Sequence, residues 1–89
     1  MKKLVETVEV EGEGLEALLG KEVILFCLNY IYSGKLIGVN KNCVLLEKPE
    51  IVYETGAFND TNFKDSQALP GQHYVMLSAI ESFGETNKR

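Results

Sequence analysis

The apolar positions of the chain fall into short runs separated by polar punctuation, and the runs change character at Val23. Before it, Leu4, Val5, Val8 and Val10 are spread among Glu6, Glu9, Glu11 and Glu13 with broken spacing. Residues 1–12 read either as an edge strand or as an acidic arm. Leu15, Leu18 and Leu19 then share one helical face, and Gly20 suits a left-handed cap. This predicts one or two turns of helix, which must lean on other elements because a short helix is costly to nucleate in water.

From Val23 the pattern is β. Val23-Ile24-Leu25-Phe26-Cys27-Leu28 is a continuous apolar run of the kind that forms a strand buried on both faces. Asn29 and Tyr30 predict a tight turn, Ile31 to Val39 a second strand, Asn40-Lys41-Asn42 a polar turn and Cys43 to Leu46 a third strand. Pro49 interrupts that strand, and Ile51-Val52-Tyr53 resume it. Gly34 and Gly38 inside the second strand predict sharp bending or close backbone approach. Residues 55–72 are rich in Asn, Asp, Ser, Gly and Thr and end in Pro70-Gly71, which predicts a long loop. Phe58, Phe63 and Leu69 are scattered through it without period. Tyr74 to Leu77 and Ala79 to Phe83 predict the last two strands, divided near Ser78. The expected organisation is an arm at 1–12, one domain at 13–84 and a polar tail at 85–89. Five short, strongly bent strands are best closed as a small barrel.

Composition narrows the reading. Eighty-nine residues allow one domain with a thin core. Nine Lys and Arg against thirteen Asp and Glu give a net charge of −4. That excess argues against non-specific binding to DNA or anionic lipid and leaves a local site open. One His, no Trp and two isolated Cys are little catalytic equipment, so no enzyme and no cofactor is expected. Cys27 and Cys43 each lie inside an apolar run and read as small buried hydrophobes, and with His73 alone they do not make a zinc set. His73 reads as a surface histidine. Tyr30 and Tyr32, two apart, read as packing or interface residues on one sheet face. No apolar run is long enough to cross a bilayer, and Met1-Lys2-Lys3 is followed by glutamates instead of an apolar stretch. No membrane contact, a cytoplasmic location and reduced thiols are therefore expected.

Two blocks of residues then resemble a known family. Leu15-x-x-Leu18-Leu19-Gly20-Lys21-x-Val23 is similar to the helix-to-first-strand signature of Sm and Sm-like proteins, including the bacterial host-factor branch, Hfq. Gly34-Lys35-Leu36-Ile37-Gly38-Val39-Asn40-Lys41-Asn42-Cys43-Val44-Leu45-Leu46 resembles their first sequence block, and Val75 to Phe83 stands where the second would fall. The resemblance implies a five-stranded SH3-like or Sm-like barrel with a short N-terminal helix, and homo-oligomeric rings of about five to seven subunits joined through the last two strands. It makes Tyr74, Val75, Met76, Leu77, Ala79, Ile80 and Phe83 the expected interface. It further implies uridine-rich single-stranded RNA at the pore, held by the turn Asn40, Lys41 and Asn42. Asn42 stands where the family commonly has a stacking aromatic, and Met76-Leu77-Ser78 stands where it has Arg-Gly or Tyr-Lys-His. The alternative is a structural or protein-interaction ring without RNA, using the 55–72 loop or the acidic arm for its partner.

Overall fold

The computed structural model describes residues 14–87, and the expected arm at 1–12 lies outside them. A 3-10 helix (Gly14–Leu18) precedes strands β1 (Glu22–Cys27), β2 (Ile31–Val39), β3 (Cys43–Glu54), β4 (Asp65–Ala68) and β5 (Gln72–Met76). A second 3-10 helix (Leu77–Ala79) leads into β6 (Ile80–Glu85). The strands form one antiparallel sheet in the order β4-β3-β2-β1-β6, with β5 also paired to β3. The helix expected at Leu15 to Leu19 is thus a single 3-10 segment, with Gly20 at φ 85° ending it.

The alternation of side chains divides the sheet into two faces. On the inner face Val23, Leu25, Leu36, Val44, Leu46 and Val75 make one core, closed at its margin by Leu15 and Leu18 of the 3-10 helix. On the outer face Ile24 and Val52 pack with Phe63, flanked by Phe26 and Ile31. Phe63 comes from the connection between β3 and β4, so that connection folds back over the sheet as a second layer. This explains why β1 is apolar at nearly every position: Val23 and Leu25 face the barrel while Ile24 and Phe26 face the loop.

One crease crosses three neighbouring strands. In β2 the pairing with β3 slips between Ser33 and Lys35, at Gly34. A Cβ added at Gly34 would lie 3.0 Å from the Glu47 carbonyl oxygen and 3.2 Å from the Pro49 Cα, so only glycine lets β3 approach there. In β3 the chain turns at Lys48, with φ 50°, and Pro49, whose side chain is fully buried. Opposite it, Leu69 N–H donates to the Pro49 carbonyl at 2.9 Å, and Leu69-Pro70-Gly71 separates β4 from β5.

β4 and β5 are therefore the two halves of one strand, running opposite the two halves of β3. The five-strand barrel stands with its fourth strand broken at the crease. Two expectations change as a result. Pro49 bends β3 without interrupting it, since a proline at a bulge removes no hydrogen bond that the ladder could make there. The 55–72 loop shrinks to residues 55–64, because Asp65 to Ala68 pair with β3 despite their polar side chains. At the other end, Gly84 and Glu85 belong to β6, and Thr86 N–H still donates to Glu22, so the polar tail begins later than expected.

The crease generates a stability prediction. Gly34→Ala is expected to lower the unfolding free energy by about 1–3 kcal/mol through overpacking against backbone. Gly38→Ala, whose added Cβ meets only the Leu45 side chain at 3.4 Å, should stay within about 1 kcal/mol of wild type. Urea denaturation of the three proteins measures the difference.

Candidate nucleic-acid interface

The β2–β3 turn is closed by its own side chain. Asn40 N–H donates to the Cys43 carbonyl at 3.0 Å, and Asn40 Oδ1 accepts from the backbone N–H groups of Asn42 at 2.7 Å and Cys43 at 2.9 Å. Asn suits this place because its short carboxamide can imitate a backbone turn. The consequence for binding is specific. The Asn40 carbonyl oxygen is committed to the turn, and its amide nitrogen is the group left to meet a ligand. Lys41 and Asn42 are exposed at the tip, and Lys41 has no ion pair among the described residues.

The fold joins this turn to the second block. Cys43 pairs with Met76, and Leu77 N–H donates to the Asn42 carbonyl at 2.9 Å. The turn at 40–42 and the 3-10 segment at Leu77–Ala79, far apart in sequence, thus form one surface. Its side-chain chemistry is that of two carboxamides, one ammonium and the exposed Ser78 hydroxyl. Such a surface can donate hydrogen bonds to base edges and hold a phosphate at Lys41, and it offers no aromatic ring on which a base could stack.

The expected interface residues divide by face. Tyr74 and Met76 of β5 are 65% and 55% exposed, and Phe83 of β6 is 41% exposed. Val75 is 4% exposed and fills the inner core, while Leu77 and Ile80 pack at that core's margin. Ala79 lies in the 3-10 segment, where its carbonyl accepts from Leu28 N–H at 3.0 Å. β5 and β6 each pair on one side only among the described residues.

A second polar cluster lies at the opposite end of β2. Tyr30 meets Tyr32 edge-on at 6.3 Å, and Tyr32 stacks on His73 at 5.3 Å with 26° between the rings. His73, expected at the surface, is half-buried in this stack. Cys27 and Cys43, expected to be buried, are both half-buried free thiols. Burial pushes the Cys27 thiol up from its ordinary range. Burial likewise raises the Tyr32 phenol, and the nearby Cys27 and Tyr30 charges add to it. Among the described residues no group of three or more His, Cys, Asp and Glu could hold a metal ion. None of their helices is long and apolar enough to cross a membrane. Sequence reasoning missed Phe58 and Phe63 as structural residues; two aromatics in an otherwise polar segment were the available signal.

Two outcomes follow from this geometry. Asn40→Ala should cost about 1 kcal/mol by removing both acceptor bonds, and Asn40→Asp should largely retain stability, as read by urea midpoints. Because the Cys27 pKa is raised in the folded state, the folded form keeps its proton where the unfolded form has lost it. Stability is then full below the ordinary thiol range and falls as pH rises through it. Midpoints taken from pH 7 upward should decline more for wild type than for Cys27→Ala.

No protein-family model and no curated protein matches the chain in sequence. Solved structures do match in fold. The chain is similar to a heptameric archaeal Sm protein, with 17% identity over 81% of this chain and 94% of that one and a TM-score of 0.63. It is similar to the Pyrococcus abyssi Sm protein solved in complex with a uridine heptamer, with 19% identity, 81% and 92% coverage and a TM-score of 0.57. A chain of the NatC complex bound to CoA is similar at 18% identity, 85% and 86% coverage and a TM-score of 0.59. These likenesses show the fold, and it is Sm-like.

Proposed function

We propose that a chain with this Sm-like barrel assembles into a homo-oligomeric ring in the cytoplasm and holds single-stranded, uridine-rich RNA at the turn Asn40–Asn42, without catalysing a reaction. The observation that carries the reading is the hydrogen bond from Leu77 to Asn42, which joins the two sequence blocks into one polar surface. Two features support assembly. β5 and β6 are singly paired edges that expose Tyr74, Met76 and Phe83, and a head-to-tail contact whose rotation closes makes a ring. Solved relatives in fold include a heptamer and a protein bound to a uridine heptamer.

A ring repeats Lys41 and Asn42 once per subunit, so contacts that are weak singly add along one strand of RNA. Unpaired bases suit amide donors because their edges are free. The second reading is a protein-binding assembly without RNA. The shared fold of a NatC complex chain favours it, together with Met76-Leu77-Ser78 lacking a cation and Phe58 exposed on the 55–64 loop.

Native mass spectrometry combined with oligo-U and oligo-A titration at low and moderate salt separates the readings. The RNA reading expects a ring that binds oligo-U, with Lys41→Ala and Asn42→Ala each weakening binding by roughly fivefold to tenfold, about 1 kcal/mol or more. Lys41→Ala should also flatten the salt dependence, having removed a phosphate contact. A well-formed ring without affinity for either oligonucleotide supports the protein-binding reading, and a 9.9 kDa monomer excludes both.

A further inference from the structure

The outer face of β1 and β6 carries a groove of about 560 Å³ lined by Ile24, Phe26, Phe58, Ser82 and Gly84, among others. In register, Ile24 stands opposite Gly84 and Phe26 opposite Ser82. The outward positions of β6 are thus a glycine and a serine, too small to cover the aromatic rings behind them. Phe58 forms one wall. Its ring meets Phe26 edge-on at 6.4 Å, yet Phe58 is 67% exposed. A phenylalanine placed against a neighbour and left this open has an unfilled side. Beyond β6 no strand of the described residues continues the sheet.

β5 has the complementary shape. Its pairing with β3 sets Val75 inward and Tyr74 and Met76 outward, and both outward side chains are largely exposed. A strand added to a sheet keeps its faces, because a shift of one residue would turn its core side chain to solvent. Docking a second copy's β5 on β6 with its Val75 on the inner face therefore lays its large outward side chains over Ser82 and Gly84, beside Phe26 and Phe58. Large side chains meet small ones. The segment Gln72-His73-Tyr74-Val75-Met76 carries no carboxylate to oppose Glu81 and Glu85 of β6.

We propose that the 55–64 loop is part of the subunit interface. Phe26 and Phe58 wall a socket that receives Tyr74 of the partner subunit and Met76 of the partner subunit. The proposal rests on the ring reading above and adds to it the role of the loop. The loop then favours copies of this chain, since the depth of the socket is set by a side chain that lies outside the barrel strands.

Native mass spectrometry and analytical ultracentrifugation of the full chain test the socket, using wild type, Phe58→Ser, Met76→Ser and the double variant, with far-UV circular dichroism as the check on folding. Each single variant should dissociate at a concentration about tenfold higher than wild type or more, as expected for an anchor in an interface. The double variant should lose less than the two singles combined, because both remove one contact. Ser82→Trp, which fills the groove from an exposed position, should block assembly even if Phe58→Ser disturbs the loop. A wild-type ring accompanied by Phe58→Ser and Ser82→Trp rings of equal persistence overturns the socket and leaves the ring standing. A monomeric wild type overturns the ring reading beneath it.

Discussion

The crease through Gly34, Pro49 and Leu69 is the constraint on which the rest of the molecule depends. Nine residues of β2 and twelve of β3 are too long to lie flat and still enclose a core of six buried side chains. Bending all three strands at one level lets the near half of the sheet cover the far half. Each strand solves the same problem by different chemistry. β2 uses a glycine that leaves room for a neighbour's backbone. β3 uses a left-handed lysine followed by a buried proline, and the third partner is interrupted by a Leu-Pro-Gly sequence with Gly71 at φ 65°. The hydrogen bond from Leu69 to Pro49 ties the last two together, so the three bends form one structural unit.

A sheet folded this way has two faces to cover and two edges left over. The inner face is covered by the sheet itself and by Leu15 and Leu18. The outer face would be exposed at Ile24 and Val52, and the 55–64 loop covers it with Phe63. Burying a side chain of that size stabilises by about 1.5–3 kcal/mol, which matters in a chain whose core is thin. The loop is thus a structural layer first. Only Phe58, at its margin, extends beyond what the protomer itself requires. The edges of β5 and β6 are a different matter: their backbone groups and exposed apolar side chains are of the kind that a neighbouring strand satisfies.

Much of this arrangement was legible in the sequence, for reasons that can be stated residue by residue. Ile31 to Val39 was readable end to end because turn residues bracket an apolar pattern, and the turn at Asn40 to Asn42 because asparagine closes turns by its own side chain. The strand at Asp65 to Ala68 was not legible. It is held by backbone bonds to β3 with most of its side chains in solvent, so no alternation marks it. Pro49 was read as an interruption of the third strand, whereas it bends a continuous β3, since its position at the crease, where the ladder already shifts, is a tertiary fact. For the candidate site, the residue types were readable and their surroundings were not. Neither the commitment of the Asn40 carbonyl to the turn nor the bond from Leu77 to Asn42 can be seen without the fold.

That bond also changes what the net charge means. A charge of −4 spread over a monomer argues against binding a polyanion, but binding at a ring's pore depends on the local surface, within about a Debye length of 8–10 Å. The glutamates of β3 lie away from the turn in register, Glu47 pairing with Gln72, Glu50 with Ala68 and Glu54 with Asp65; in β6, Glu85 pairs with Val23, while Glu81 stands exposed two residues beyond the 3-10 segment. The turn itself carries Lys41 and no carboxylate. With the Asn40 oxygen turned inward, its amide nitrogen and the Lys41 ammonium face outward as donors, while the Asn42 carboxamide and the Ser78 hydroxyl can donate or accept; donors suit the carbonyl-rich edges of unpaired pyrimidines and the oxygens of phosphate alike. In the ring proposed above, a surface of this kind would hold its ligand by hydrogen bonds more than by charge, and strongly only where several copies face one strand. The two open edges would be satisfied by neighbours, and one small polar surface per chain would gain from repetition, so the proposed ring would answer both at once.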